Sequence, residues 1–261
     1  MMATLFDATL DLARHARGVK RYKVSQVLDD GLTFTAPTMK NIAGEYVNGT
    51  VWIMTGDSKG EFARIKRAIN QKVTMEDDSP TISVGDTVMI CPWIDFDLDE
   101  LIEAINSVLY RYPILAMNDD LEWDTNTLTY DLPEGVSDIR RVNIANTMDT
   151  YTASHRWIEE GGQLRFHSTA GLYADGGKVQ LMYRKMHGEV YEATDEIDPQ
   201  VDLAYLRNMA FLYLWRQVII VQHKDNPVAA DMFNEAKMYE SDYTKFNIPE
   251  RKIPIRSFFT R

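Results

Sequence analysis

Apolar and polar positions change rhythm several times along the chain. Residues 3–17 follow a helical period dominated by Ala and Leu. Thr4, with Asp7 three positions on, is close to a capping box, and Gly18 is a suitable stop. From residue 20 to 92 the period shortens to two. Tyr22–Val27, Leu32–Thr35, Thr50–Thr55, Glu61–Lys66, Val73–Met75 and Asp86–Ile90 alternate as strands, with turn signals at Asp30-Gly31, Asn48-Gly49 and Gly56–Gly60. Short strands at this spacing predict a small antiparallel barrel or sandwich.

Over residues 95–112 the helical period returns, with Leu98, Leu101, Ile102, Ile105, Val108 and Leu109 on one face. Asp95 or Asp97 can cap this helix, and Pro113 ends it. Residues 121–193 read as strands again, with Gly161-Gly162 and Asp175-Gly176-Gly177 as turns, a second sandwich-like unit. Pro199 suits the first position of a long helix over 199–224, apolar on more than one face. Asn226-Pro227 breaks it, and a further helix over 227–245 completes an αα-hairpin. Residues 247–261 hold two prolines, four bases and one acid, and alternate apolar with basic residues. That pattern predicts an extended arm, up to roughly 50 Å at about 3.3–3.6 Å per residue.

The expected fold class is therefore α+β: small antiparallel barrel or sandwich units plus a helical bundle with a long C-terminal αα-hairpin. The segments are an N-terminal helix (1–18), a barrel-like domain (19–94), a bundle helix and linker (95–120), an inserted sandwich (121–197), a helical hairpin (198–246) and the arm (247–261).

At 261 residues and 45% hydrophobic content the chain can bury two or three modest cores. It lacks the ~18-residue apolar run of a membrane-spanning helix. Acids and bases inside the first apolar stretch do not suit a signal peptide. A single cysteine, Cys91, leaves no internal disulfide and no Cys-based zinc site. The net charge of -11 argues against a generic nucleic-acid binder, which needs clustered positive charge. That charge is unevenly spread. Residues 12–28 carry five bases and no acid, whereas residues 95–124 carry nine acids, Asp95, Asp97, Asp99, Glu100 and Glu103 among them, against Arg111. A solvated acidic face and complementary packing between copies both fit this distribution.

Candidate chemistry is sparse. Gly56-Asp57-Ser58-Lys59-Gly60 matches G-x-S-x-G, but a nucleophile elbow needs a strand-to-helix turn, and strand patterns flank this one on both sides. Asp95-Phe96-Asp97-Leu98-Asp99 opens like a calcium loop, yet Glu100 and Asn106 stand where glycine and glutamate belong, so helix capping is the expectation. His15, His155, His167, His187 and His223 lack ligand spacing, although His155 and His167 could meet across a hairpin. Neither a catalytic group, a cofactor nor a metal is expected.

The order of elements is similar to that of tailed-bacteriophage neck proteins, the head–tail connector or adaptor family. Gly49–Ile65 with Val84-Gly85-Asp86-Thr87-Val88 resembles glycine-bracketed strand modules of phage structural proteins. Asp99–Asn106, then a sandwich, then Tyr183–Gly188 and Asp195–Pro199 ahead of a long Ala/Leu helix, resembles the neck proteins themselves. The resemblance implies a homo-oligomeric ring, expected to have twelve copies, made in the host cytoplasm and residing in the virion neck. It would be a non-enzymatic structural protein that joins portal to tail or neck proteins and passes double-stranded DNA without binding it specifically, with no membrane contact. The C-terminal arm, through Arg251, Lys252, Ile253, Ile255, Arg256, Phe258 and Phe259, would dock on the portal, and the acids at 95–103 would face a lumen or an interface. The alternative expectation is a tail, baseplate or carbohydrate-binding receptor module on the same sandwiches.

Overall fold

The computed structural model describes residues 2–16, 19–39, 46–92, 96–145, 151–154, 156–167, 176–219 and 221. Among these the chain is mixed α+β, with several antiparallel sheets and three α-helices. It divides into two units, residues 1–110 with 188–261 and residues 111–187.

The first unit begins with β1 (Ala3–Thr4) and α1 (Leu5–Ala16). The strands β2 (Lys20–Lys23), β3 (Gln26–Val27), β4 (Thr33–Thr35), β5 (Thr50–Ile53), β6 (Phe62–Ile69), β7 (Lys72–Met75) and β8 (Thr87–Cys91) follow, then α2 (Leu98–Leu109). The sheet order is β2-β8-β5-β6-β7-β4-β3, antiparallel throughout. Its two end strands are one bent run. Val24 N–H donates to the Asp86 carbonyl at 2.8 Å, and Ser25 N–H donates to the Thr35 carbonyl at 3.0 Å. The sheet therefore closes on itself as a barrel, which removes its edges.

Alternation fills this barrel. Val51, Ile53, Ile65, Val73, Met75, Val88 and Ile90 point inward into one core with Phe34 and Tyr22. On β5 and β8 the outward residues are also buried: Thr50, Trp52, Met89 and Cys91. Helix α1 reaches Trp52 and Met89. The indole N–H of Trp52 donates to Thr9 Oγ1 at 3.0 Å, and the Thr9 hydroxyl donates back to the Leu5 carbonyl. A buried indole removes on the order of 200 Å² from water, about 5 kcal/mol of transfer free energy.

The second unit holds β9 (Pro113–Glu122), β10 (Thr129–Asp131), β11 (Ile139–Ala145), β12 (Tyr151–Ser154), β13 (Trp157–Glu160), β14 (Gln163–Phe166) and β15 (Lys178–Met186). A four-stranded sheet, β12-β11-β15-β9, faces a three-stranded one, β10-β14-β13. Val142, Ile144, Val179 and Leu181 of the first meet Leu164 and Phe166 of the second, and Trp123 stands edge-on to Phe166 at 4.9 Å. Gly161 and Gly162 both take positive φ in the β13–β14 hairpin, as the sequence predicts.

The chain then returns to the first unit through β16 (Glu196–Ile197), which pairs with β1. Helix α3 (Leu203–Tyr213) follows and widens into a π-helical segment, Leu214–Ile219. Helices α1, α2 and α3 pack on one another.

Several expectations shift. Residues 113–120, expected as linker, belong to β9: a proline at a strand's first position costs no ladder bond, and the acids of an edge strand can stay in water. Residues 188–197 leave the sandwich for the first unit, because β16 needs β1. The N-terminal helix, expected as a segment of its own, packs with α2 and α3. Helix α3 starts at Leu203 and not at Pro199, because Asp202 accepts the N–H groups of Ala204 and Tyr205. The hairpin's second helix at 227–245 lies outside the described residues, as does His155.

Candidate functional site

The two glycine motifs meet in one corner of the barrel. Gly56–Gly60 turns β5 into antiparallel β6, so Ser58 sits in a strand–turn–strand setting and not on a nucleophile elbow. Gly56 and Gly60 have φ of +93° and +92°, conformations that favour glycine. Gly56 lies directly over the Asp86 carboxylate, and a β-carbon there would stand 2.3 Å from Oδ1. Asp86 in turn accepts the Ser83 N–H at 2.8 Å, while Thr87 N–H donates to Thr55 Oγ1 at 2.8 Å. Gly85-Asp86-Thr87 thus locks the Thr55-Gly56 end of the hairpin.

The acidic run at α2 is held by partners inside the first unit. Asp97 caps the helix: its carboxylate accepts Glu100 N–H at 3.0 Å, and Glu100 accepts Asp97 N–H at 2.7 Å. Arg64, from β6, reaches Asp97 at 3.4 Å and hydrogen-bonds Asp99, joining the barrel to the helix. Glu103 accepts the Tyr213 hydroxyl at 2.7 Å, which raises the Tyr213 pKa. Burial raises the Glu100 pKa, with the carboxylates of Asp97, Glu103 and Asp99 adding to it. Asp99 stays largely in water, its side chain 76% exposed. Asp95 lies outside the described residues, together with all seven arm residues, Arg251, Lys252, Ile253, Ile255, Arg256, Phe258 and Phe259.

A shallow apolar cleft of about 160 Å³ lies among the helices, between Ala8, Ile105, Leu203 and Leu206, with Asp7, Asp11 and Arg207 beside it. Arg207 approaches Asp11 at 3.5 Å. Among the described residues, no three His, Cys, Asp or Glu side chains are grouped to hold a metal ion, and no helix is long and apolar enough to cross a membrane.

The outer face of the four-stranded sheet was not legible as a site in the sequence. Leu181 and Val179 face the core, so their neighbours point the other way. Met117 lies opposite Met182, and Met182 lies opposite Arg141. Met117 is 65% exposed. A bulge between Val179 and Leu181 sets Asp119 and Asp120 against one residue of β15, and both acids are exposed. Strand alternation signals each of these positions only once β9 is known to be a strand.

The chain matches no protein-family model and no curated protein.

Proposed function

We propose that this chain is a structural protein of a tailed-phage virion, a neck protein that assembles as a ring at the head–tail junction. One observation carries the reading furthest. Gly56–Gly60 and Gly85-Asp86-Thr87, two runs on which the resemblance to tailed-phage structural proteins rests, interlock as a scaffold corner, with glycine, threonine and aspartate all spent on backbone geometry. Such a corner sets the shape of a surface and does no bond chemistry. In this reading twelve copies join portal to tail, the arm at 247–261 docks on the portal, and an acidic inner surface lets DNA slide, since each basic contact would add counterion-release affinity.

The carbohydrate-binding alternative needs aromatic rings displayed at a sandwich end. Trp123 is buried in the sandwich core and Trp157 packs against it, so these two rings give it no support.

Light scattering and negative-stain imaging of the purified chain test the proposal. The expected particle is a ring with a central opening. A single-chain particle at every concentration would overturn it, as would ester or glycoside turnover that disappears in Ser58→Ala. Removing residues 247–261 is expected to leave folded protein that no longer binds the portal.

A further inference from the structure

The helices of the first unit leave an apolar cleft open, and its surroundings are acidic. Ala3 of β1, Ala8 of α1, Ile105 of α2, and Leu203 and Leu206 of α3 line it. Ile105 and Leu206 are buried, whereas Leu203 is 45% exposed. The cleft's volume, about 160 Å³, matches a cavity that takes one aromatic ring, roughly 150 Å³ for benzene. Asp7 and Asp11 stand beside it. Arg207 answers Asp11 at 3.5 Å. Asp7 is exposed and accepts the Thr4 N–H and hydroxyl, but makes no ion pair among the described residues. Residues 189–202, which lead into α3, carry six acids and no base.

We infer that this cleft seats the chain's own C-terminal arm, 247–261, with a phenylalanine ring of Phe258-Phe259 in the apolar part and a flanking base, Arg256 or Arg261, at Asp7. The arm has the chemistry that the cleft lacks. It carries four bases against Glu250, spaced among Ile253, Ile255, Phe258 and Phe259. Opposite charge selects the segment and its register, and the ring supplies the buried area. Length also fits. The sequence predicts a helix over 227–245, residues outside the described ones, after a break at Asn226-Pro227. Running back along α3 as an αα-hairpin, that helix would cover about 28 Å at 1.5 Å per residue. From Ile219 back to Leu203 is about 24 Å by the same rise. The arm would therefore begin beside the end of α3 that forms the cleft. Tethering makes the docking intramolecular, at an effective concentration of roughly millimolar order, so a weak contact suffices. A basic segment of another molecule meets the same acids without that advantage. The inference does not depend on the ring reading; under that reading the portal draws the arm off this seat.

The test places two cysteines in the full chain, Ala3→Cys in the cleft and Ser257→Cys in the arm, which leaves every charge in place. The native Cys91 is buried. Val84→Cys with Ser257→Cys, the first at an exposed barrel residue, sets the background. Circular dichroism melts check that each form folds like the wild type. In oxidised glutathione the cleft–arm pair is expected to form a disulfide within one chain faster than the background pair. Adding Asp7→Lys, or Phe258→Ser with Phe259→Ser, is expected to slow it by about tenfold or more, the scale of losing one buried anchor. A rate no faster than background, or one that either addition leaves unchanged, overturns the inference. So does a disulfide that joins two chains, which would make another copy's arm the occupant. None of these outcomes decides whether the chain forms a ring.

Discussion

The barrel and the sandwich are both built from short strands in antiparallel pairing, yet they end differently. In the barrel the run from Lys20 to Val27 bends at Val24–Ser25 and pairs on both sides, so the sheet closes. Its β5–β8 wall is buried on both faces, outward Trp52 being as fully covered as inward Val51. In the sandwich one face of β9, β15 and β11 meets a core, while Met117 and Arg141 on the other stay in water. A closed sheet covered by helices has spent its surface on itself. An open, half-covered one still has backbone groups and side chains to give to a neighbour.

The largest expected effects would break this comparison outright. Trp52→Ala leaves a cavity between barrel and α1 and should cost about 3–5 kcal/mol; Leu164→Ala, in the sandwich core, should cost about 2–5 kcal/mol. Because each unit has its own core, urea titration followed by hydrogen exchange should show each substitution lowering protection in its own unit. Equal loss of protection in both units after either change would mean that they unfold as one.

Gly56→Ala comes next. It places a β-carbon on the Asp86 carboxylate at a backbone angle that alanine resists, which alone costs about 1–2 kcal/mol. The overlap adds to that. A double-mutant cycle with Asp86→Ala should recover part of the loss, since the second change removes the obstructing oxygens. Strict additivity would show that the corner relaxes by another route. Thr9→Val is smaller. It keeps the shape but leaves the Trp52 indole N–H without its acceptor, an expected cost of about 1–3 kcal/mol seen as a lower urea midpoint. A neutral result would mean that the indole N–H finds another acceptor.

The order of elements was legible because periodicity survives burial. The α2 face and the β13–β14 turn follow directly from apolar spacing and paired glycines. Strand β9 was hidden because its sequence, Pro113 to Glu122, mixes a proline with three acids, and only its edge position makes those residues acceptable. Strand β12 was hidden by the opposite lack of signal: Tyr-Thr-Ala-Ser is too short and too polar to alternate. The acids near α2 were visible as a cluster, but their partners were not. Arg64 comes from β6 and Tyr213 from α3, far away in sequence, and no local pattern pairs them.

The smallest effect concerns that acidic cluster and turns on its sign. Near a helix N-terminus the dipole favours a charged Glu100, and so does the Asp97 N–H it accepts. Its pKa is nevertheless raised, so burial and the carboxylates of Asp97, Glu103 and Asp99 outweigh both. A carboxyl with a raised folded pKa binds protons more tightly folded than unfolded, so its share of stability falls as pH rises through that window. Above the raised value the penalty is constant; below the ordinary value it is absent. Glu100→Gln keeps an acceptor for Asp97 N–H and removes the charge. Its stability relative to the wild type should therefore rise between acid and neutral pH, by less than about 1 kcal/mol because water screens a partly exposed group. Asp195 gives the opposite slope. The Tyr191 and Glu192 N–H groups lower its pKa, so its contribution is present above the ordinary carboxylate range and is lost as pH falls through the lowered value. Urea midpoints of Glu100→Gln and Asp195→Asn at acid and neutral pH should move in opposite directions relative to the wild type. Parallel movement would mean that Glu100 is held as a favourable charge and that the cluster is not under repulsion.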